Sequence, residues 1–169
     1  MKKFVGIILL GVVLTISGQQ VSAQKYGYIN RDELFKAMPD YDSANVQVEK
    51  TRKELQNQLV AMQNELSIKT SSLNNEGKNL SDFLRQNKQD ELNSLNVRLQ
   101  LFQVKATQQL EDKKNQLFQP VITKADNALR DVAKAEGFIF VLDGTQLLYS
   151  DEKKCINILP LVKAKLGLK

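Results

Sequence analysis

The chain has no histidine, no tryptophan and a single cysteine in 169 residues. Without histidine there is no imidazole general base, no Ser-His-Asp triad and no His-ligated metal, and one thiol cannot build a zinc or iron-sulfur cluster. Hydrolase and metalloenzyme chemistry are set aside on that ground, and the expectation is a protein that is not an enzyme, with no catalytic, cofactor-binding or metal-binding residues. Proline is scarce at three and glycine at eight, so long stretches are free of helix breakers. No Gly-rich phosphate loop is present. The neighbouring acids Asp90-Glu91 and Glu111-Asp112 do not face one another on a helix, so they form no acid/base pair. What remains is an ordinary globular balance, 42% hydrophobic and 25% charged, at a length that suits one domain.

The first 23 residues read as a secretory signal. Lys2 and Lys3 form a charged n-region, Phe4 to Ile16 an apolar stretch of 13 residues, and Val21-Ser22-Ala23 a small-residue cleavage site. An N-terminal membrane anchor is disfavoured because a spanning helix needs roughly 20 apolar residues. Cleavage after Ala23 is expected to leave an exported mature chain that starts at Gln24, with 22 basic and 19 acidic residues, a formal +3. So mixed a surface does not read as a nucleic-acid binder, which shows a dense basic stripe, and any contact with a membrane surface should be weak. Cys155, alone in an oxidising compartment, is either buried or available for a bond between chains, and the apolar run it opens with Ile156, Ile158 and Leu159 favours burial.

Three regions differ in pattern. Lys25 to Ile29 is β-like, and Asn30 with Glu33 marks a helix start over Arg31 to Ala37 that should stop before Met38-Pro39. From Asp42 to Phe118 the composition favours helix. With position 45 as a, the a and d positions through Phe83 hold eight apolar residues of twelve; Asn45, Arg52, Lys69 and Glu76 are the exceptions. That seam is good over Leu55 to Leu66 and then frays. Ser, Asn and Gly gather between 67 and 82, so the chain should reverse near Asn74 to Asn79, with 85 to 90 the alternative. A second seam runs Leu92, Leu95, Leu99, Phe102 and Ala106, then stutters to Leu110 and Leu117. Pro120 should kink this helix without ending it, and Gly137 should cap it. Phe138 to Leu142 reads as a strand, Leu147 to Tyr149 as a second one paired to it through Asp143-Gly144, and Cys155 to Leu166 as a last helix closed by Gly167.

The expected fold is therefore α+β and mostly α: a small β body, residues 24–40 and 121–169, carrying a long antiparallel coiled-coil hairpin arm, residues 41–120. Together these form a single domain over residues 24–169. So small a body is at the margin of independent stability, and oligomerisation through its strands is the natural remedy. Tyr26, Tyr28, Ile29, Ile139 and Val141 are the interface candidates. On the arm, 12 Gln and 10 Asn between Ser43 and Gln119 suit wet, adaptable contacts. Leu73, Leu80, Phe83 and Leu84 are apolar where the seam has frayed, either packing across the tip or offering loose contact to an unfolded chain.

Taken in order, Lys25-Tyr-Gly-Tyr-Ile-Asn30, Met38-Pro-Asp-Tyr41, the Leu/Gln-rich hairpin, Gln119-Pro-Val-Ile122, Gly137-Phe-Ile-Phe-Val-Leu-Asp143 and Leu148-Tyr-Ser150 resemble the Skp/OmpH family of periplasmic chaperones. Met-Pro-Asp-Tyr suggests its Bacteroidetes branch. The resemblance covers the whole mature chain. It implies a jellyfish-shaped homotrimer whose arms enclose unfolded outer-membrane β-barrel proteins without ATP. Much of the family is strongly basic, whereas this chain is +3, so no lipopolysaccharide-binding residues are carried over. A structural coiled-coil adaptor of the cell envelope is the competing reading.

Overall fold

The computed structural model describes residues 24–151 and 153–169; the expected signal sequence lies outside them. Strand β1 (Lys25–Ile29) leads into helix α1 (Arg31–Lys36), then α2 (Pro39–Glu76), α3 (Asp82–Glu136), β2 (Phe138–Asp143), β3 (Cys155–Asn157) and α4 (Leu159–Lys165). One turn of 3₁₀ helix joins α2 to α3 at Gly77–Asn79, and another follows β2 at Gly144–Gln146.

The ends of these helices follow the local chemistry. Asn30 caps α1 by accepting from the Glu33 amide at 3.1 Å. Pro39 opens α2 at the one helical position where a missing N–H costs nothing. Ser81 caps α3 at its Leu84 amide. Chain reversal thus falls at residues 77–81, and the alternative at 85–90 is helical. Gly137 ends α3 at φ +74°, the left-handed geometry that favours glycine, and its amide bonds back to the Ala133 and Lys134 carbonyls. Pro120 lies inside α3, which runs for 55 residues.

The sheet has three strands in the order β2-β1-β3, and both pairings are parallel. Two sequence expectations change here. Leu147 to Tyr149 forms no strand; Leu147 is extended, and Leu148 and Tyr149 stand in solvent at 105% and 83% exposure. Strand β3 is instead Cys155–Asn157, which the sequence reading placed in the last helix. The physical reason is β1: with β2 on one edge, its other edge needs a partner, and Cys155-Ile156-Asn157 supplies one opposite Tyr26, Gly27 and Tyr28. The helix then starts after it, with Pro160 in its first turn. Cys155 is only half-buried, because in a strand it sits beside Tyr26 and not within a helix core.

One core serves the body. Ile29, Leu34, Met38, Val121, Ala125, Ala128, Val132, Ile158, Leu159 and Val162 are buried together, with Phe35, Tyr41, Phe138 and Val141 packed against them. Helices α1, α3 and α4 therefore cover one face of the sheet. A Cβ placed on Gly27 would come within 3.2 Å of Ile158 Cγ2 and Phe138 Cδ1, so a side chain there would push Ile158, at the start of α4, and Phe138 back by a few tenths of an ångström. No helix among the described residues is long and apolar enough to cross a membrane.

Candidate functional site: the uncovered sheet face and the arm

In a parallel pair, residues in register point to the same side. Gly27 and Ile29 face the core, so Tyr26 and Tyr28, with Phe140 and Leu142 opposite them, face the other way. Tyr26 and Phe140 touch there, with ring centroids 4.9 Å apart. Phe140 and Leu142 remain 47% and 45% exposed and Ile139 57%. Parallel sheets are normally covered on both faces, and both edges of this one, β2 and β3, are open.

The interface candidates divide on this geometry. Tyr26 and Tyr28 are half-buried on the outer face and Ile139 is exposed, whereas Val141 packs against the core. Ile29 is 1% exposed and belongs to the chain's own core, so its side chain has no surface to give a partner. The sequence reading did not single out Phe140 and Leu142. The run Phe138 to Leu142 is continuously apolar, so alternation assigns no faces, and a register shift beside Lys25 and Tyr26 moves the pattern by one residue.

The arm is held by a seam and by ions. Ala44, Val48 and Leu55 on α2 and Leu92, Leu95 and Leu99 on α3 are buried. At its root, Tyr41 stacks on Phe35 and meets Phe118 at a tilt, at 5.6 and 5.2 Å between centroids, and Lys124 bonds Asp40 at 2.7 Å. Where the seam frays, its two charged d residues find partners across the hairpin: Lys69 bonds Glu91, and Glu76 lies 3.8 Å from Lys88. The Lys69 contact holds the Glu91 carboxyl below its ordinary value, and Glu91 in turn raises the Lys69 ammonium. The fraying is therefore an exchange of apolar contacts for ion pairs of opposite polarity.

The tip candidates also divide. Leu73 and Leu80 are half-buried, while Phe83 and Leu84, in the first turn of α3, are 73% and 49% exposed. The arm further exposes Val46, Val60, Ile68, Val97, Leu101 and Val104, which a search along the seam misses because they sit outside it. Among the described residues no cluster of three metal-ligating side chains occurs.

A parallel sheet with one bare apolar face, joined by one long helix to a projecting two-helix arm, is a recognisable design. The family model of outer membrane proteins, OmpH-like, matches residues 25–166. The chain belongs to the OmpH-like family. Among its relatives are proteins named chaperone protein Skp: one from Pectobacterium atrosepticum is 24% identical over 161 residues, covering 93% of this chain and 95% of its own. Another, from Photorhabdus luminescens, is 24% identical over 169 residues, covering 98% and 100%. A third, from Vibrio cholerae, is 24% identical over 157 residues, covering 88% and 90%. A solved Caulobacter crescentus structure, described as an OmpH-like outer membrane chaperone, shares the fold at a TM-score of 0.71 and 10% identity, over 85% of this chain and 83% of that one. The resemblance read from the sequence is thus borne out at the level of family and fold.

Proposed function

We propose that this OmpH-like chain is an ATP-independent periplasmic holdase, non-enzymatic, that binds unfolded outer-membrane β-barrel proteins and prevents their aggregation. In this reading residues 1–23 export the chain and are removed after Ala23. A small body over residues 24–40 and 121–169 assembles three copies, and the arms, residues 41–120, surround the client. Each arm helix of 38 residues or so would extend about 57 Å at 1.5 Å per residue, enough to flank a compact unfolded chain.

The observation that carries the reading is the pairing of one bare apolar sheet face with an arm whose apolar residues are scattered. The sheet face supports self-association through Tyr26, Tyr28 and Ile139, joined by Phe140 and Leu142. The arm supports many shallow contacts, Leu73, Leu80, Phe83 and Leu84 among them, which together raise the effective concentration of a client while each lets go easily. An envelope adaptor would need a single contiguous patch for a folded partner, and the arm's exposed apolar residues are dispersed along both helices.

The test combines static light scattering with aggregation of a β-barrel protein diluted out of urea. A trimer mass together with suppressed turbidity, without nucleotide, is expected. A monomer, or turbidity unchanged at excess protein, overturns the reading.

A further inference from the structure

The strand that carries the bare sheet face begins two residues past the expected cleavage site at Ala23. It is β1, starting at Lys25, and it is the central strand. Whatever precedes Gln24 therefore leaves from the middle of the sheet and not from an edge. What precedes it is the most apolar part of the chain. Residues 4–24 include no charged side chain, and in the run from Phe4 to Ile16 Thr15 is the sole polar side chain. The face beside it is uncharged as well: Cys155 and Asn157 stand in register with Tyr26 and Tyr28 and extend the outer face onto β3, so that Phe140, Leu142 and these four positions carry no ionic group.

The dimensions of run and face agree. Strands β1 and β2 have five and six residues, about 16 to 20 Å at 3.3 Å per residue. Thirteen residues coiled as a helix would span about 20 Å. Eight residues, 17–24, separate Ile16 from β1, enough to reverse the chain, because connections between a helix and the next strand usually take about two to six. A helix over 4–16 would then run antiparallel to β1 across its outer face, and helices on both faces are how parallel sheets are ordinarily covered. Lys2 and Lys3 would arrive at the far end of β1, where Asp143 stands opposite Ile29 and Asp32 lies in the first turn of α1. Arg31, the cation at that end, is already engaged by Asp126.

We propose that in the uncleaved chain the apolar run Phe4 to Ile16 lies on the outer face of the chain's own sheet, over Tyr26, Phe140 and Leu142, and keeps the chain from assembling until the run is removed. The proposal rests on the reading that residues 1–23 are cleaved and that copies then associate through this face, and it adds what covers the face beforehand. Tethering decides the competition. A segment on a short flexible linker meets its site at an effective concentration on the order of millimolar, whereas a second copy in the micromolar range is about 1,000-fold more dilute. For contacts of equal strength the chain's own segment wins by that factor, and cutting the linker abolishes the advantage.

The experiment uses the full chain with a seven-residue protease site in place of residues 17–23, so that one sample is measured uncut and cut. The chain has no tryptophan, so F140W places a single fluorescent reporter on the face. L142W serves as a second reporter, and circular dichroism with urea unfolding checks that each body folds. Sedimentation velocity should find the uncut chain monomeric at micromolar concentration, with blue-shifted emission that does not change on dilution. Cutting should yield the trimer, whose emission moves to the red as dilution dissociates it. In the uncut chain L9D/L10D/V12D/V13D should restore assembly, lowering its midpoint by about 100-fold or more, because charges spread around the run cannot lie on an apolar face. An uncut chain that assembles at the same concentration as the cut one overturns the proposal. So does an uncut chain that forms larger particles with dilution-dependent emission, which would place the run on other copies, or a charged variant that stays monomeric, which would make the added length and not the apolar run the obstacle. A cut chain that is monomeric at every concentration removes the trimer of the holdase reading, whereas blue emission of the uncut chain and its loss in the charged variant test the cover by themselves.

Discussion

If three copies of the chain cover the outer sheet face, removing the side chains on that face should dissociate the assembly without unfolding its parts. Phe140 and Leu142 are 47% and 45% exposed, so a partner has about half of each side chain left to bury. Full burial of such a side chain contributes about 1.5 to 3 kcal/mol, so each contributes about 1 kcal/mol to assembly. Three copies and two residues bring the cost of F140S/L142S to about 6 kcal/mol per trimer, on the order of 10⁴-fold in the association constant. Because three monomers meet, the dissociation midpoint should move by about the square root of that, on the order of 100-fold in concentration. Each folded monomer loses a comparable amount, because the half of each side chain it already buries contributes about 1 kcal/mol, and the tilted contact of Phe140 with Tyr26 at 4.9 Å adds about 0.5 to 1.5 kcal/mol. Sedimentation velocity over a dilution series, with circular dichroism on the same samples, reads both effects. An unchanged midpoint in a folded double variant would refute the argument. An acid at Val141 is a poorer probe, since that side chain packs against the core and would unfold the body.

The Lys69–Glu91 bridge should make the distal arm sensitive to acid. Glu91 is held below its ordinary 4.5 by Lys69, so the bridge's contribution is complete above that pH and fades as pH falls below it; Lys69, raised above 10.5 by Glu91, loses the same contact only above that pH. Hydrogen exchange over residues 69–91 should rise between pH 5 and 3 more in the native chain than in E91Q, and equal rises would count against it. Gly27→Ala forces a methyl to within 3.2 Å of Ile158 and Phe138 and should cost about 1 to 3 kcal/mol in urea unfolding; a neutral result would mean that α4 can shift. Deleting about Ile68 to Lys88 should preserve the oligomer and impair retention of large unfolded barrels more than small ones, measured by dissociation constants; equal loss for both sizes would argue against enclosure.

The helices were legible because their signals are local. Asn30 and Gly137 cap where side-chain and backbone chemistry demand it, and the seam at Leu92, Leu95 and Leu99 repeats at helical spacing. The sheet was less legible because its partners are distant in sequence. Nothing near Cys155 announces that β1 needs an edge, and an apolar run after a glycine-containing turn reads equally well as a hairpin strand or a loop. Leu147-Leu148-Tyr149 has strand composition, yet in the single chain it is left in solvent. The exposed Val97, Leu101 and Val104 escaped for a different reason: a seam search rewards residues that face a known neighbour, and these three face none within the chain.

Helix α3 joins the two functional halves in a way that constrains how they can move. Its residues Val121, Ala125, Ala128 and Val132 are part of the body core, while Leu92, Leu95 and Leu99 are the arm seam. Between them sits Pro120, which cannot donate a hydrogen bond to the preceding turn. Bending there is opposed by buried packing on both sides, by Val121 of the body core next to the proline and by Ala44 and Val48 of α2 at the root of the arm. Contacts at the rim add to it, Tyr41 against Phe118 and Lys124 with Asp40, while Arg31 with Asp126 at 2.8 Å joins two body residues and does not cross the proline. Those ion pairs are about half exposed, and such pairs contribute about 0 to 1 kcal/mol each. The root of the arm is thus held mainly by apolar packing and only slightly by its exposed ion pairs, so removing Lys124 or Asp40 should loosen the arm less than opening a cavity at Ala44, Val48 or Val121.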